Sequence, residues 1–129
     1  MHIEHIAIWC NNLELMKDFY CTYFNAIAST KYFNPNKQFT SYFLQFQQGA
    51  RLELMQMPGV ANNVNNPLMP YRCIIHIAIS VGSKEKVDAL TAQLRSDGVI
   101  IIGEPRTIGD GYYESVIADP EQNLIEITE

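Results

Sequence analysis

The strongest constraint on this chain is that its sequence runs through one pattern twice. His5-Ile6-Ala7-Ile8 recurs as His76-Ile77-Ala78-Ile79, and the residues after each copy repeat the same order of helix and strand signals. A repeat of this size implies one supersecondary unit used twice, each copy unable to bury its apolar face alone. Both copies lie in β-branched apolar runs of strand length, residues 3–9 and 74–81. A helix signal comes after each run. In the first copy Asn12 can cap a helix, Leu13, Met16, Tyr20 and Tyr23 form one apolar stripe, and Asn25 tolerates the left-handed conformation of a helix end. In the second copy Ser83 is the cap, Val87, Leu90 and Leu94 are the stripe, and Gly98 is the stop. Three strands are then expected in each half: residues 26–33, 39–46 and 51–57, and residues 99–102, 112–118 and 124–128. The breakers between them are Asn34-Pro35-Asn36, Gln48-Gly49, Gly109-Asp110-Gly111 and Asp119-Pro120.

The expected fold is therefore α+β. Two tandem βαβββ modules, residues 1–57 and 74–129, form a cupped mixed sheet with amphipathic helices on its outer face. The connection 58–73, rich in Asn between Pro58 and Pro70, is long for a link inside one compact domain. With 129 residues the chain is read as a single domain with a sizeable core.

Polar residues repeat along with the strands. His5 and His76 open equivalent strands, and Glu53 and Glu126 stand alone between aliphatics in Leu52-Glu53-Leu54 and Ile125-Glu126-Ile127. Strand alternation puts His5 with Ala7 and Trp9 on one face and Ile6 and Ile8 on the other; His76 with Ala78 and Ser80 obeys the same rule. A single His in a strand is more often a hydrogen-bonded structural residue, and a single Glu is more often solvated. Four such residues, paired by a repeat and set on one face, point instead to a shared divalent metal ion. Two carboxylates beside that ion leave the first shell formally neutral. A mixed nitrogen and oxygen donor set suits Zn, Ni, Co, Fe or Mn and disfavours Ca and Mg. The third histidine, His2, is out of parity with His5 and is read as surface. Trp9 shares the His5 face and is a candidate wall for a substrate pocket.

Composition narrows the partners. A hydrophobic fraction of 47% with 18% charged residues fits a folded globular protein. The formal charge of −5, with Lys and Arg scattered, gives no basic stripe for phosphates, so no nucleic-acid partner is expected. No apolar run reaches membrane-helix length and no secretory leader is visible, so no membrane partner is expected and the expected location is cytoplasmic. Cys10, Cys21 and Cys73 make neither a disulfide framework nor a Cys-x-x-Cys pair.

These residues resemble the vicinal oxygen chelate superfamily, which includes glyoxalase I, extradiol dioxygenases and bleomycin-resistance proteins. The resemblance covers the whole chain. It is carried by Ile3-Glu4-His5-Ile6-Ala7-Ile8, Arg51-Leu52-Glu53-Leu54, His76-Ile77-Ala78-Ile79 and Asp119-Pro120-Glu121-Gln122-Asn123-Leu124-Ile125-Glu126-Ile127. The last matches the family ending D-P-x-G-N-x-I-E-x except that Gln122 replaces Gly. The order His, Glu, His, Glu is similar to bacterial glyoxalase I. The resemblance implies a metal-dependent lyase or isomerase acting by proton transfer next to a carbonyl. Glu126 would be the general base, with Glu53 as its partner in returning the proton. It also implies a homodimer acting on a small-molecule substrate, with the site formed within one chain or shared between two. Where glyoxalase I holds glutathione with an Arg and an Asn, this chain has Trp9 and Met57. The metal chemistry can thus persist without glutathione recognition. Two alternatives stay open at this level: an Fe(II) extradiol-type dioxygenase using three of the four ligands, and a non-catalytic small-ligand binder of the same fold.

Overall fold

The computed structural model describes residues 1–62 and 72–129. Most of the expected connection 58–73, including Pro67 and Pro70, lies outside the described residues. The chain divides into two compact units, residues 1–63 and 64–129.

The first unit carries β1 (His5–Trp9), α1 (Leu13–Phe24), β2 (Ile27–Ala28), β3 (Tyr32–Asn34), β4 (Phe39–Gln45) and β5 (Arg51–Gln56). The strand order is β1-β5-β4-β2, with β3 also pairing with β4. The second unit carries β6 (His76–Ser80), α2 (Lys84–Ser96), β7 (Ile101–Thr107), β8 (Tyr113–Ala118) and β9 (Leu124–Thr128), with strand order β6-β9-β8-β7. In both, the first strand runs parallel to the last, β1 with β5 and β6 with β9, while the other pairs are antiparallel. Each sheet is thus mixed, as the tandem βαβββ reading requires. Among the described residues no helix is long and apolar enough to cross a membrane.

Local chemistry accounts for the elements. The Asn12 side chain accepts from the Leu15 amide and starts α1, and Asn25 ends it at φ 52°. Ser83 caps α2 through the Lys86 amide. Gly98 at φ 84° reverses the chain after α2, where its own amide and that of Val99 return to Arg95 and Leu94 carbonyls. Helix α1 packs on β2, β4 and β5, burying Leu13, Met16 and Tyr20 with Leu44, Leu52 and Leu54. Helix α2 packs on β7, β8 and β9, burying Val87 and Leu94 with Ile117, Ile125 and Ile127.

Four expectations shift. The strand expected over 26–33 is two short ones, because the Ser29 hydroxyl accepts from the Phe43 amide at 3.0 Å, where a strand would offer a backbone carbonyl. The strand expected at 99–102 runs instead over Ile101–Thr107: Val99 belongs to the helix stop, and β7 is an edge strand whose register shift between Gly103 and Arg106 spans Pro105. In α1 the core takes Phe19 and Phe24, leaving Tyr23 half-buried. In α2 it takes Thr91 rather than Leu90. Thr91 Oγ1 donates to the Val87 carbonyl, and the Thr91 and Ser115 hydroxyls meet at 2.7 Å, so the buried hydroxyl is satisfied. Cys10 is buried, Cys21 half-buried and Cys73 exposed.

The turn before β9 has one further feature. Asp119, buried, accepts from the Glu121 and Asn123 amides and from the Asn123 side chain, each at 2.9 Å. This clamp leaves Gln122 at φ 69°, a conformation that costs a residue with a Cβ and costs Gly nothing. Gln122→Gly is expected to raise stability by about 0.5–1 kcal/mol, once the greater freedom of unfolded Gly is subtracted. Denaturant titration checks this; a loss of stability would mean that the Gln122 side chain contributes more than its backbone strain costs.

Candidate metal centre

The parallel pairing that closes each sheet also builds each half of the candidate site. In the first unit His5 is level with Arg51 and Ala7 with Glu53; in the second His76 is level with Leu124 and Ala78 with Glu126. Each Glu therefore sits diagonally across from its His, opposite an alanine that leaves room for both side chains. Leu52, Leu54, Ile125 and Ile127 point the other way into the helix-packed cores. His5 Nε2 lies 3.7 Å from Glu53 Oε2, and His76 Nε2 lies 3.5 Å from Glu126 Oε2.

Both distances are long for a hydrogen bond, whose nitrogen-to-oxygen distance is usually ~2.7–3.2 Å. They approach the roughly 3–3.5 Å separating two donors that each stand about 2.1 Å from one ion. Each glutamate is only 15% or 20% exposed, yet no lysine or arginine pairs with it among the described residues. The donor chemistry and the spacing of each pair thus fit two of the donors of a divalent transition ion. Among the described residues, no group of three or more His, Cys, Asp or Glu gathers that could hold a metal ion. The structure brings together His5 with Glu53, and His76 with Glu126.

The surroundings of the two pairs differ. Around the first, the Glu4 carboxylate meets His5 Nδ1 at 2.5 Å and pairs with Arg51. The hydrogen bond with His5, then the Arg51 charge, hold the Glu4 carboxyl below its ordinary range. The Arg51 guanidinium lies over the Phe43 ring at 4.1 Å, and the His5 ring stands edge-on to Phe43 at 5.3 Å. Trp9, on the same face of β1, is 42% exposed and contacts Phe39. A cavity of about 460 Å³ at the far ends of β1 and β5 is lined by Cys10, Phe33, Thr40, Gln56 and Met57; it includes neither His5 nor Glu53.

Around the second pair stands Glu114, which sequence reasoning missed. It lies on β8, 4% exposed, with Oε1 accepting from Arg106 at 3.3 Å and Oε2 meeting no donor. Arg106 folds back over Gly103, where a Cβ would approach its guanidinium to 2.7 Å. Burial, and then the neighbouring Glu126 carboxylate, push the Glu114 carboxyl above its ordinary range, with Arg106 opposing. A lone Glu inside the strand Tyr113–Ala118, two positions from the residue paired with Glu126, was the available signal.

Because folding raises the Glu114 pKa, the folded state binds its proton more tightly than the unfolded chain. Its contribution is most favourable at acid pH and declines as pH rises through the unfolded value of about 4.3 towards the folded one. In metal-free protein, Glu114→Gln is expected to be more stable than the parent at pH 8, with the gain vanishing at pH 4. Thermal melts across that range check it, and a pH-independent difference would contradict it.

Comparison with known proteins gives a match to the family model described as the Glyoxalase/Bleomycin resistance protein/Dioxygenase superfamily, over residues 2–127. No curated protein sequence matches. Among solved structures, the trypanothione-dependent glyoxalase I of Leishmania major is 24% identical with a TM-score of 0.80, over 100% of this chain and 86% of that one. A glyoxalase family protein from Enterococcus faecalis is 22% identical with a TM-score of 0.78, over 99% and 97%. Glyoxalase I from Zea mays is 20% identical with a TM-score of 0.76, over 98% of this chain and 44% of that one. At these identities the likeness is one of fold.

Proposed function

The chain belongs to the Glyoxalase/Bleomycin resistance protein/Dioxygenase superfamily, and on that footing we propose that it is a metal-dependent lyase or isomerase of the glyoxalase I kind. The substrate class is a small α-hydroxycarbonyl compound or a 2-oxoaldehyde–thiol adduct. The observation that carries the reading is the duplicated pair, His5 with Glu53 and His76 with Glu126, each spaced for two donors on one ion. In this reading the two pairs share one Zn, Ni, Co, Fe or Mn ion. They meet within one chain or across the axis of a homodimer. We take the homodimer, since closed two-fold dimers are the commonest assemblies.

A divalent ion so held would stabilise negative charge on vicinal substrate oxygens. The rest falls to the chain. Glu126 takes the proton from the carbon beside the carbonyl, and Glu53, its counterpart in the first module, gives a proton of its own to the neighbouring carbon; exchange with solvent then takes the proton from Glu126 and restores one to Glu53. His5 and His76 would hold the ion through ring nitrogens. Trp9 and Met57 present an aromatic face and a thioether rather than a cation and an amide, so the thiol portion need not carry glutathione's carboxylates.

The test is proton exchange. Chelator-stripped protein reloaded with each metal is expected to bind about one ion per chain and to run as a dimer by light scattering. It should also catalyse solvent exchange at the carbon next to the carbonyl of methylglyoxal hemithioacetals made from several thiols. Glu126→Gln is expected to slow exchange at least ~100-fold with the fold intact by circular dichroism. Exchange that is metal-independent, or unchanged in Glu126→Gln, would contradict the reading.

A further inference from the structure

The two modules match in their His–Glu pairs and differ in what holds the histidines. In the first, Glu4, Arg51 and Phe43 close a ring of contacts around His5: Glu4 on Nδ1, Arg51 on Glu4, Arg51 over Phe43, and Phe43 against the His5 ring. The backbone supports the same ring, since the Arg51 amide donates to the Glu4 carbonyl at 3.0 Å. The register gives the counterparts in the second module. Ile75 precedes His76 as Glu4 precedes His5, Leu124 is level with His76 as Arg51 is with His5, and Val116 is level with Glu126 as Phe43 is with Glu53. All three are aliphatic and offer His76 neither an acceptor nor an aromatic face.

We infer that Glu4, oriented by Arg51, is a positioning residue: it fixes His5 in the tautomer that carries its proton on Nδ1 and turns a bare Nε2 lone pair towards Glu53. An imidazole can bind a metal only through a nitrogen without a proton, and the partner of its other nitrogen decides which one that is. Free imidazole in solution samples both tautomers and many ring angles. His5 is held to one tautomer by Glu4 and to one ring orientation by Phe43. The first module is therefore the pre-organised half of the centre, and His76 is ordered by the ion itself. Glu4 and Arg51 are each partly exposed, so their pairing adds little to global stability. Their consequence is local orientation. The inference about affinity rests on the shared-ion reading above; the inference about the tautomer does not.

The experiment separates the two. Two-bond proton–nitrogen correlation spectra of the histidine rings, recorded on the metal-free full chain at pH 8.5, are expected to show His5 in the Nδ1–H form and His76 in the solution mixture. Glu4→Leu should give His5 the mixed pattern, while Glu4→Gln, which keeps an acceptor, should largely preserve the Nδ1–H form. In nickel and zinc titrations Glu4→Leu should weaken affinity by roughly 10–100-fold and Glu4→Gln by much less. A parent His5 in the Nε2–H form, or Glu4→Leu with an unchanged tautomer, would overturn the inference. A parent that binds no metal would refute the shared ion and leave the tautomer measurement to decide the role of Glu4.

Discussion

The parallel pairing of first and last strands is what the remainder of each unit serves. A parallel pair cannot be joined by a tight turn; it needs a crossover, and here the helix and the intervening strands supply one. The helix then covers one face of the sheet, with Leu, Met, Phe and Tyr in the first unit and with Val, Thr and Leu in the second. The opposite face is left to residues that such a core could not accept. On that face the slanted register sets a His diagonally from a Glu, with an alanine beside the carboxylate. A shift of one residue in either pair would turn the Glu into the helix-packed core and one of its aliphatic neighbours out to the site. The site is thus a consequence of register, and the buried Leu52, Leu54, Ile125 and Ile127 enforce that register.

Duplication gives two such His–Glu pairs, and their surroundings have become unequal. The first module surrounds its histidine with Glu4, Arg51 and Phe43. The second has aliphatics at those places and instead keeps a buried carboxyl, Glu114, beside its glutamate, where the first module has Ser41 at the matching position. One half is built to hold an imidazole still; the other places a second carboxyl next to Glu126. Such a division suits a centre in which one side grips and the other exchanges a proton.

Much of this was legible in the sequence because the residues responsible act locally. Asn12, Asn25, Ser83 and Gly98 mark the helix ends by their own side-chain or backbone chemistry, and strand alternation alone separates His5 and His76 from their aliphatic neighbours. The repeat singled out His5, Glu53, His76 and Glu126 as candidates, and the structure sets His5 near Glu53 and His76 near Glu126. What escaped depends on partners distant in sequence. The break between β2 and β3 requires the Ser29 hydroxyl to reach Phe43. The length of β7 requires an edge position that tolerates Pro105. Thr91 enters the core only because Ser115 faces it. Glu114 drew no notice because its place beside Glu126 follows from the β8–β9 register, and its Arg106 partner from a fold over Gly103.

The central claim is that one ion is shared by an imidazole and a carboxylate from each module. X-ray absorption on protein loaded with nickel or zinc reads the first shell directly, because imidazole rings scatter in a pattern that carboxylates do not. The account predicts two imidazoles, with the rest of the shell oxygen and no sulfur, and one imidazole in either His5→Ala or His76→Ala. A spectrum with a single imidazole in the parent protein, or with sulfur from any of the three cysteines, would contradict it.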